Sequence, residues 1–445
     1  MDQRLPKPPR KDQDGDQNQS RDHDRDGPRK GNGLAHALGT GVITGAADDD
    51  PSAIGTYASA GAKFGLAFLW IAPVVLPMMY VVVYVSAKLG QVYGKGLFAI
   101  VRDRYPRWVL YPIVLGAFTG NVIEAAANLG GIGAALNLLV PVPIGAIVVV
   151  AAAAILAFQV FGSYALLRAI FRWLALALFA YVAAAILARP DPGEILRGTF
   201  LPRIRFDADF LSMIVACIGT SLSAYIYTWQ SNQEVEEEIA QGRHSLRARK
   251  GATDAELRKT RRDVVIGMLF SNVILYFIIL STGATLHPAG QTEIESAAQA
   301  AAALEPLAGA GAKYLFALGV VGVGFLAVPV MTTGAAYDLV QGVGRSGSLH
   351  ARPREAKLFY GTIAAVTVIA VALNFLGFNP MRALVWSGIV QGFSVPPLLL
   401  LMMLMTNDRA VMGNRVNGRL TNLLGWTTTA VTFAAALGLV ATWLR

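Results

Sequence analysis

The stretch that decides the fold is GVITGAADDDPSAIGTYASAG, residues 41–61, in which three aspartates and a proline interrupt an otherwise apolar run. A proline removes a backbone donor and clashes with the preceding turn, so we expect the helix to unwind near Asp48 to Ser52. A carboxylate inside a membrane is costly unless it is paired, hydrated or bound to a cation. The stretch therefore predicts a broken membrane helix, with Asp50 at a functional site.

The surrounding sequence is that of a membrane protein. Of the 445 residues, 54% are hydrophobic and 15% are charged. Apolar stretches of about twenty residues, long enough to cross a bilayer, recur along most of the chain. This composition excludes an ordinary soluble domain. We predict an all-α, polytopic fold with about eleven spans, at residues 34–59, 65–88, 109–139, 142–161, 164–188, 209–240, 263–286, 312–342, 357–377, 382–405 and 421–444.

The chain divides into a polar tail and one membrane domain. Residues 1–32 carry mixed charges and no apolar core, which predicts a disordered cytoplasmic tail and no cleavable signal. Residues 33–445 are predicted to form the transmembrane domain. Within it we expect one repeat at about 34–188, a second at about 209–405 and an extra helix at 421–444.

The positive charge of the chain sets its predicted orientation. The formal net charge is +9, but the basic residues flank apolar spans, which is typical of a topology signal and does not indicate nucleic-acid binding. With the N-terminus inside, thirty of the 38 lysines and arginines fall on the cytoplasmic side. We therefore predict a multi-pass protein of the plasma (inner) membrane, with a cytoplasmic N-terminus and the C-terminus outside.

A second interruption lies in IVACIGTSLSAYIYTWQSNQEVEEE, residues 214–238, where Gly219, Thr220, Ser221 and Ser223 form a small polar patch. The two interrupted spans begin two successive groups of five. Corresponding interruptions in two halves indicate a transporter built from inverted repeats. The carbonyls freed at the breaks, near Ala47 and Thr220, would point at the cavity.

These groups predict an oxygen-lined cation site. A carboxylate, two carbonyls, a serine hydroxyl and retained water suit hard divalent ions such as Mg²⁺ or Mn²⁺. We interpret Asp50 as the aspartate that matters most, with Asp48 and Asp49 in water near the start of the half-helix. Asp49 and Ser52 remain candidates for the cavity or pathway.

Other polar residues inside spans are further candidates. Glu124 and Asn128 share one helical face, and we predict a role for Glu124 in the ion path, although close packing is the alternative. Gln391 either lines the cavity or belongs to a helix kink. The acidic run from Glu234 to Glu238 either funnels cations or is a solvated helix end facing the basic loop 243–262.

These motifs resemble those of the natural resistance-associated macrophage protein (NRAMP) divalent-metal transporters, which carry D-P-G-N in the first helix and M-P-H in the sixth. Here the first motif stands as Asp50-Pro51-Ser52-Ala53. In the sixth, Ser223 takes the methionine position, Ala224 the proline and Tyr225 the histidine. The resemblance covers nearly all of the chain after the tail. It implies a LeuT-type fold with Asp50, the Ala47 and Thr220 carbonyls, Ser223 and the position of Ala53 around the ion.

The departures from the family pattern carry their own implications. Replacing a soft thioether with Ser223 removes discrimination against Mg²⁺, and Ala53 lacks the amide of the family's asparagine. Tyr225 and Gln230 stand where the family has histidines, which puts proton coupling in doubt. The sequence is most similar to the branch of NRAMP-related magnesium transporters, which adds an acid in the third helix, here aligned with Glu124.

We therefore predict a secondary transporter of Mg²⁺ or Mn²⁺ without proton coupling. The alternatives are a proton-coupled Mn²⁺/Fe²⁺ symporter, a sodium-coupled amino-acid carrier and a membrane metalloenzyme. The aspartate run argues against the amino-acid carrier, and the scattered histidines argue against the enzyme. The expected partners are the ion as substrate and the lipid bilayer, without a cofactor or nucleic acid. The sequence sets no oligomeric state.

Overall fold

The computed structural model describes residues 44, 45, 47–161, 178–345, 347–349 and 351–444, and this part of the chain is helical with no β-strand. The predicted tail, much of the first span and most of the fifth lie outside these residues. The main helices are α1 Pro51–Phe64, α2 Ile71–Tyr93, α3 Arg107–Asn137, α4 Ile144–Phe161, α5 Phe179–Leu187, α6 Ala208–Ser221, α7 Ala224–Ala240, α8 Asp254–Thr285, α9 Ala312–Gly342, α10 Lys357–Asn374, α11 Pro380–Asn407 and α12 Arg419–Trp443. The short helix α5 lies at the end of the predicted fifth span.

Shorter helices connect these elements. They are Gly65–Phe68, Leu97–Arg104, Pro192–Phe200, Leu246–Arg249, Ala297–Ala302, Glu305–Ala308, Gly309–Gly311 and Arg409–Met412. Within the described residues, nine helical stretches are long and apolar enough to cross a membrane. They correspond to all the predicted spans except the first and the fifth. The sixth span, Ala208–Ala240, comprises both α6 and α7.

Local sequence signals fix where several helices begin. Thr253 and Glu256 form a capping box at the start of α8, with each side chain bonded to the backbone of the other residue. Asn379 caps α11, whose first residue is Pro380. Proline suits a first helical position because the amide it lacks would have no partner there.

Helix α3 lies at the centre of the bundle. It packs against α9, α10 and α11, and its buried face is rich in alanine and glycine. Small residues let helix backbones approach closely inside a membrane, where apolar burial against lipid gives little driving force. Helix α1 packs mainly on α8, and a side chain at Gly61 would meet Thr282 and the backbone of Ile279.

Both predicted helix breaks are present. The first separates the helical residues 47 and 48 from α1, with Asp49 and Asp50 non-helical between them. The second lies at Leu222 and Ser223, between α6 and α7. No proline marks the second break, so the polar patch was its sequence signal.

We predict that Gly219→Val destabilises the protein. A side chain at Gly219 in α6 would meet the carbonyl oxygen of Gly388 and the backbone of Gly392 in α11. Overpacking of this kind costs about 1–3 kcal/mol. Thermal unfolding in detergent should show a lower midpoint for this variant. The exposed Gly361 in α10 has open space around it, so Gly361→Val is the control and should unfold like the wild type. Equal midpoints for the two variants would contradict the packing.

Candidate functional site

Asp50 lies at the first break and caps α1. Its Oδ1 accepts the backbone N–H of Ala53 at 2.6 Å and the hydroxyl of Ser52 at 2.7 Å. Its Oδ2 accepts Nδ2 of Asn128 at 3.1 Å. An aspartate before Pro51 is a typical N-cap, and the carboxylate faces the positive end of the half-helix dipole. The fully buried charge is thus held by donors from α1 and α3.

Glu124 is a second fully buried acid beside Asp50. Its Oε1 accepts the hydroxyls of Ser223 at 2.9 Å and Ser52 at 3.2 Å, and its Oε2 accepts Nε2 of Gln391 at 2.6 Å. The Ser52 hydroxyl has one proton and lies within reach of both acids, so the two carboxylates are within two hydrogen-bond lengths. Two charges at roughly 6 Å repel by on the order of 3 kcal/mol at an effective dielectric constant of about 20. A cation between them would remove this repulsion.

The backbone carbonyls at the two breaks lie close to the two acids, Asp50 and Glu124. The hydroxyl of Tyr225 donates to the Ala47 carbonyl at 3.0 Å and lies 3.5 Å from Oδ2 of Asp50. The Ser223 hydroxyl lies 3.0 Å from the carbonyls of both Gly219 and Thr220, as well as near Glu124. One serine proton cannot satisfy three acceptors. Oxygens with spare lone pairs therefore remain at the second break.

The structure brings together most of the predicted site residues. The shared group consists of Ala47, Asp50, Ser52, Glu124, Asn128, Thr220, Ser223, Tyr225 and Gln391. The hydroxyls of Ser52 and Thr220 are 2.9 Å apart, which joins α1 to α6. Ala53 contributes only its backbone N–H, because its side chain has no donor atom. Gln230 is hydrogen-bonded to Thr44 and Glu234, and these bonds do not involve Asp50 or Glu124.

The interpretation that Asp48 and Asp49 face water is wrong, because both are fully buried. Oδ2 of Asp48 and Oδ1 of Asp49 each lie 2.8 Å from the hydroxyl of Ser271 in α8. The other oxygen of each carboxylate has no hydrogen-bond partner among the described residues. The half-helix before the break is packed against α8, which closes the water access that the sequence suggested.

The sequence reasoning also missed a third acid. Asp338 in α9 is fully buried and accepts Nδ2 of Asn121 at 2.8 Å and the hydroxyl of Thr228 at 2.7 Å. Asn121 is 3.4 Å from Nε2 of Gln391, which continues the network to Glu124. An acid near the end of an apolar span was the signal, and the reasoning applied to Glu124 would have found it.

A sulfur atom near the site was missed as well. Sδ of Met331 in α9 lies 3.2 Å from Nδ2 of Asn128, the amide that also reaches Asp50. Methionine is common in apolar helices, so this residue gave no sequence signal. The thioether accepts a hydrogen bond from Asn128, which lies between it and the Asp50 carboxylate.

The acids do not form a closed cage. Among the residues that the structure describes, no three histidine, cysteine, aspartate or glutamate side chains converge closely enough to hold a metal ion alone. A cation at this place would therefore need carbonyls, hydroxyls and water in its shell. Every residue of the group is buried.

Comparison with known sequences identifies the family of this chain. Residues 41–442, nearly all of the chain, match the profile of the natural resistance-associated macrophage protein-like family. The chain belongs to this family. Membership agrees with Asp50-Pro51 at the first break.

Relatives of this NRAMP-like chain cover most of its length. A divalent metal cation transporter MntH of Klebsiella pneumoniae is 27% identical over 389 residues, covering 86% of this chain and 88% of the relative. The MntH of Deinococcus radiodurans is 26% identical over 414 residues, covering 92% and 90%. These relatives confirm the prediction that the chain is a membrane transporter and not an enzyme.

Solved structures confirm the predicted LeuT-type fold. A manganese transporter of Eremococcus coleocola superposes with a TM-score of 0.67 at 19% identity, covering 92% of this chain and 87% of that one. Mhp1, a nucleobase-cation-symport-1 family transporter, gives 0.57 at 16% identity, covering 92% of each. The division of this NRAMP-like chain into two repeats with the stated boundaries stays a prediction.

We predict that Ser271→Ala lowers the thermal stability of the protein. The change removes the donor that two buried carboxylates share, and an unsatisfied buried group costs about 1–3 kcal/mol. Unfolding in detergent should show a reduced midpoint. Ser281→Ala is the matched control, because Ser281 is equally buried in α8 but bonds only the backbone of its own helix, at Ile278. If both alanine variants unfold alike, Ser271 does not stabilise the aspartate pair.

Proposed function

We propose that this chain carries divalent metal cations across the membrane, with Mg²⁺ favoured, by binding them partly hydrated between Asp50 and Glu124. The observation that carries the proposal is the pair of buried carboxylates meeting at the Ser52 hydroxyl, beside the carbonyls of both helix breaks. The MntH relatives, whose names describe divalent metal cation transporters, support the substrate class.

The donor set supports a hard ion that keeps water. The donors around the two acids are carboxylate, carbonyl, hydroxyl and amide oxygens, and the nearby Met331 sulfur contacts the Asn128 amide. Mg²⁺ dehydrates reluctantly and is usually bound by one or two carboxylates with several waters. The Ser223 hydroxyl can hydrogen-bond a coordinated water, which a thioether in the same place would do poorly. The carboxylate of Glu124 can likewise hold the ion through water without direct ligation.

We propose that the transport is not coupled to protons. The side chains in the two family histidine positions are engaged in hydrogen bonds. Tyr225 donates to the Ala47 carbonyl, and Gln230 bridges Thr44 and Glu234. Neither a tyrosine nor a glutamine replaces an imidazole as a proton carrier near neutral pH. The proton-coupled Mn²⁺/Fe²⁺ symporter is the second candidate, and the buried carboxylates are the groups that would carry its protons.

We place the protein in the plasma (inner) membrane with the N-terminus in the cytoplasm and the C-terminus outside, because the lysine and arginine bias indicates this orientation. A sodium-coupled amino-acid carrier is disfavoured, since the fixed charge of Asp50 at the break would repel a substrate carboxylate. No resident cofactor is part of the proposal.

We predict that Asp50→Ala abolishes uptake of divalent ions and that Glu124→Gln weakens it without stopping it. The first change removes the direct carboxylate, and the second removes charge while keeping an amide oxygen near the ion's water. Liposomes containing each purified variant would be assayed for Mg²⁺ and Mn²⁺ uptake. Asp209→Ala, at a side chain 70% exposed, is the control for a lost acid and should transport normally. Wild-type uptake by folded Asp50→Ala protein would contradict the proposed site.

We predict that ion uptake leaves the internal pH of the vesicles unchanged. Mg²⁺ or Mn²⁺ would be added outside liposomes containing the protein and a trapped pH dye, with the membrane potential clamped. The ions should enter down their electrochemical gradient without acidification. Metal-driven acidification that is absent from empty liposomes would favour the proton-coupled symporter.

We predict that Ser223→Met shifts selectivity from Mg²⁺ toward Mn²⁺ and Cd²⁺. A polarisable sulfur replaces a hard oxygen at the second break, and the larger side chain leaves less room for the ion's water. A change of about 1.4 kcal/mol is tenfold in relative affinity, which competition uptake resolves. Adding Ala53→Asn should strengthen the shift.

Ser212→Met, in α6 away from the break, is the matched control and should keep wild-type selectivity. Unchanged preference in both the single Ser223→Met and the double variant would show that position 223 does not face the ion.

A further inference from the structure

A second acidic cavity lies between α2, α7 and α8, apart from the site at the helix breaks. It encloses about 50 Å³. The acids that line it are Glu234, Glu237, Glu238, Glu256 and Asp263. It includes much of the acidic run for which the sequence left two interpretations open. Glu234 and Glu238 are buried, so this helix end is not simply solvated.

The charges of the cavity are largely balanced. Lys259 also lines it and pairs with Glu237 at 3.3 Å. Arg243 pairs with Glu256 and lies 3.5 Å from Oε1 of Glu238. Arg249 acts on Glu238, and Arg262 on Asp263, by longer-range attraction. The excess of acid is small, so charge alone does not assign an ion to this cavity.

Two oxygens without partners point to a ligand. Oε1 of Gln91 and Oε2 of Glu238 are buried and accept no hydrogen bond within the described part of the chain. Nε2 of Gln91 donates to Glu234 at 2.6 Å and to the Thr260 hydroxyl at 2.7 Å, which leaves Oε1 as the end of the amide without a partner. A buried polar oxygen without a partner is costly unless water or a cation meets it.

We propose that this cavity binds a second, partly hydrated divalent cation, held by Oε1 of Gln91 and Oε2 of Glu238. An amide oxygen, a carboxylate oxygen and waters make a hard donor set suited to Mg²⁺ or Mn²⁺. A water needs about 10–15 Å³ of such volume, so the cavity has room for an ion with about three waters. The Gln91 oxygen is not an acid and comes from α2, so it adds a donor from a different helix to the acidic run.

A chain of hydrogen bonds connects this cavity to the first break. Glu234, at the cavity wall, accepts Nε2 of Gln230 at 2.7 Å, and the Thr44 hydroxyl lies 2.5 Å from Oε1 of Gln230. Thr44 is three residues before Ala47, on the half-helix that leads to Asp50. An ion in the cavity, at the end of α7 assigned to the cytoplasm, would thus be connected to the half-helix through Glu234 and Gln230. A role for this ion in the transport route rests on the proposed function, whereas the binding of the ion to the cavity does not.

The test counts bound Mn²⁺ on the purified full-length protein in detergent, from the electron paramagnetic resonance signal of the free ion. The wild type should bind two Mn²⁺ ions. Asp50→Ala should bind one, and adding Glu238→Gln should weaken that remaining site by roughly tenfold or more. Gln91→Met, which removes the oxygen at similar size and without a charge change, should weaken it too and covers a folding failure of the first variant.

Glu194→Gln in the Asp50→Ala background is the matched control, because Glu194 is an exposed acid outside the cavity. It should leave the remaining site intact. Loss of all Mn²⁺ binding in Asp50→Ala, or unchanged binding after both Glu238→Gln and Gln91→Met, overturns the second site. If Glu238→Gln removes one ion while Asp50→Ala removes none, the second site stands and the proposed transport site fails.

Discussion

The burial of the Asp50 carboxylate inside a membrane domain is the constraint on which the arrangement depends. Such a charge is costly unless it is neutralised or well solvated by the protein. The helix break supplies the first part of that solvation, because it frees backbone N–H groups at the start of α1. Pro51 forces the break, and Ser52 and Asn128 supply further donors. A continuous helix would have kept these backbone N–H groups in its own hydrogen bonds.

Glu124 adds a second carboxylate to this solvated charge, which is the basis of the proposed ion site. Its position on α3, the central helix, brings a second carboxylate to the Ser52 hydroxyl and to the second break at Ser223. Serine, asparagine and glutamine donors occupy the acid oxygens, and the Tyr225 hydroxyl occupies the Ala47 carbonyl. A coordinated water can donate to the same acceptors as those side chains. A hydrated ion can therefore satisfy these acceptors through its coordinated waters.

The polar network extends beyond the two acids in two directions. One branch runs from Gln391 through Asn121 to Asp338 in α9. The other follows the half-helix from Thr44 through Gln230 to Glu234 and the acidic cavity. Both branches join side chains from several different helices. Networks of this kind specify one packing of the helices because each buried group needs its partner.

The sequence by itself determined the helical membrane fold, the broken first helix and the choice of Asp50 and Glu124 as candidate acids. Apolar length reports a span, and a proline after an aspartate reports a break, because both effects are local to the chain. Tertiary structure alone decided which side chains meet. Asp48 and Asp49 are buried because α8 presents Ser271 to them, and Asp338 joins the network because Asn121 and Thr228 reach it. Such contacts join residues more than a hundred positions apart, so no local pattern records them.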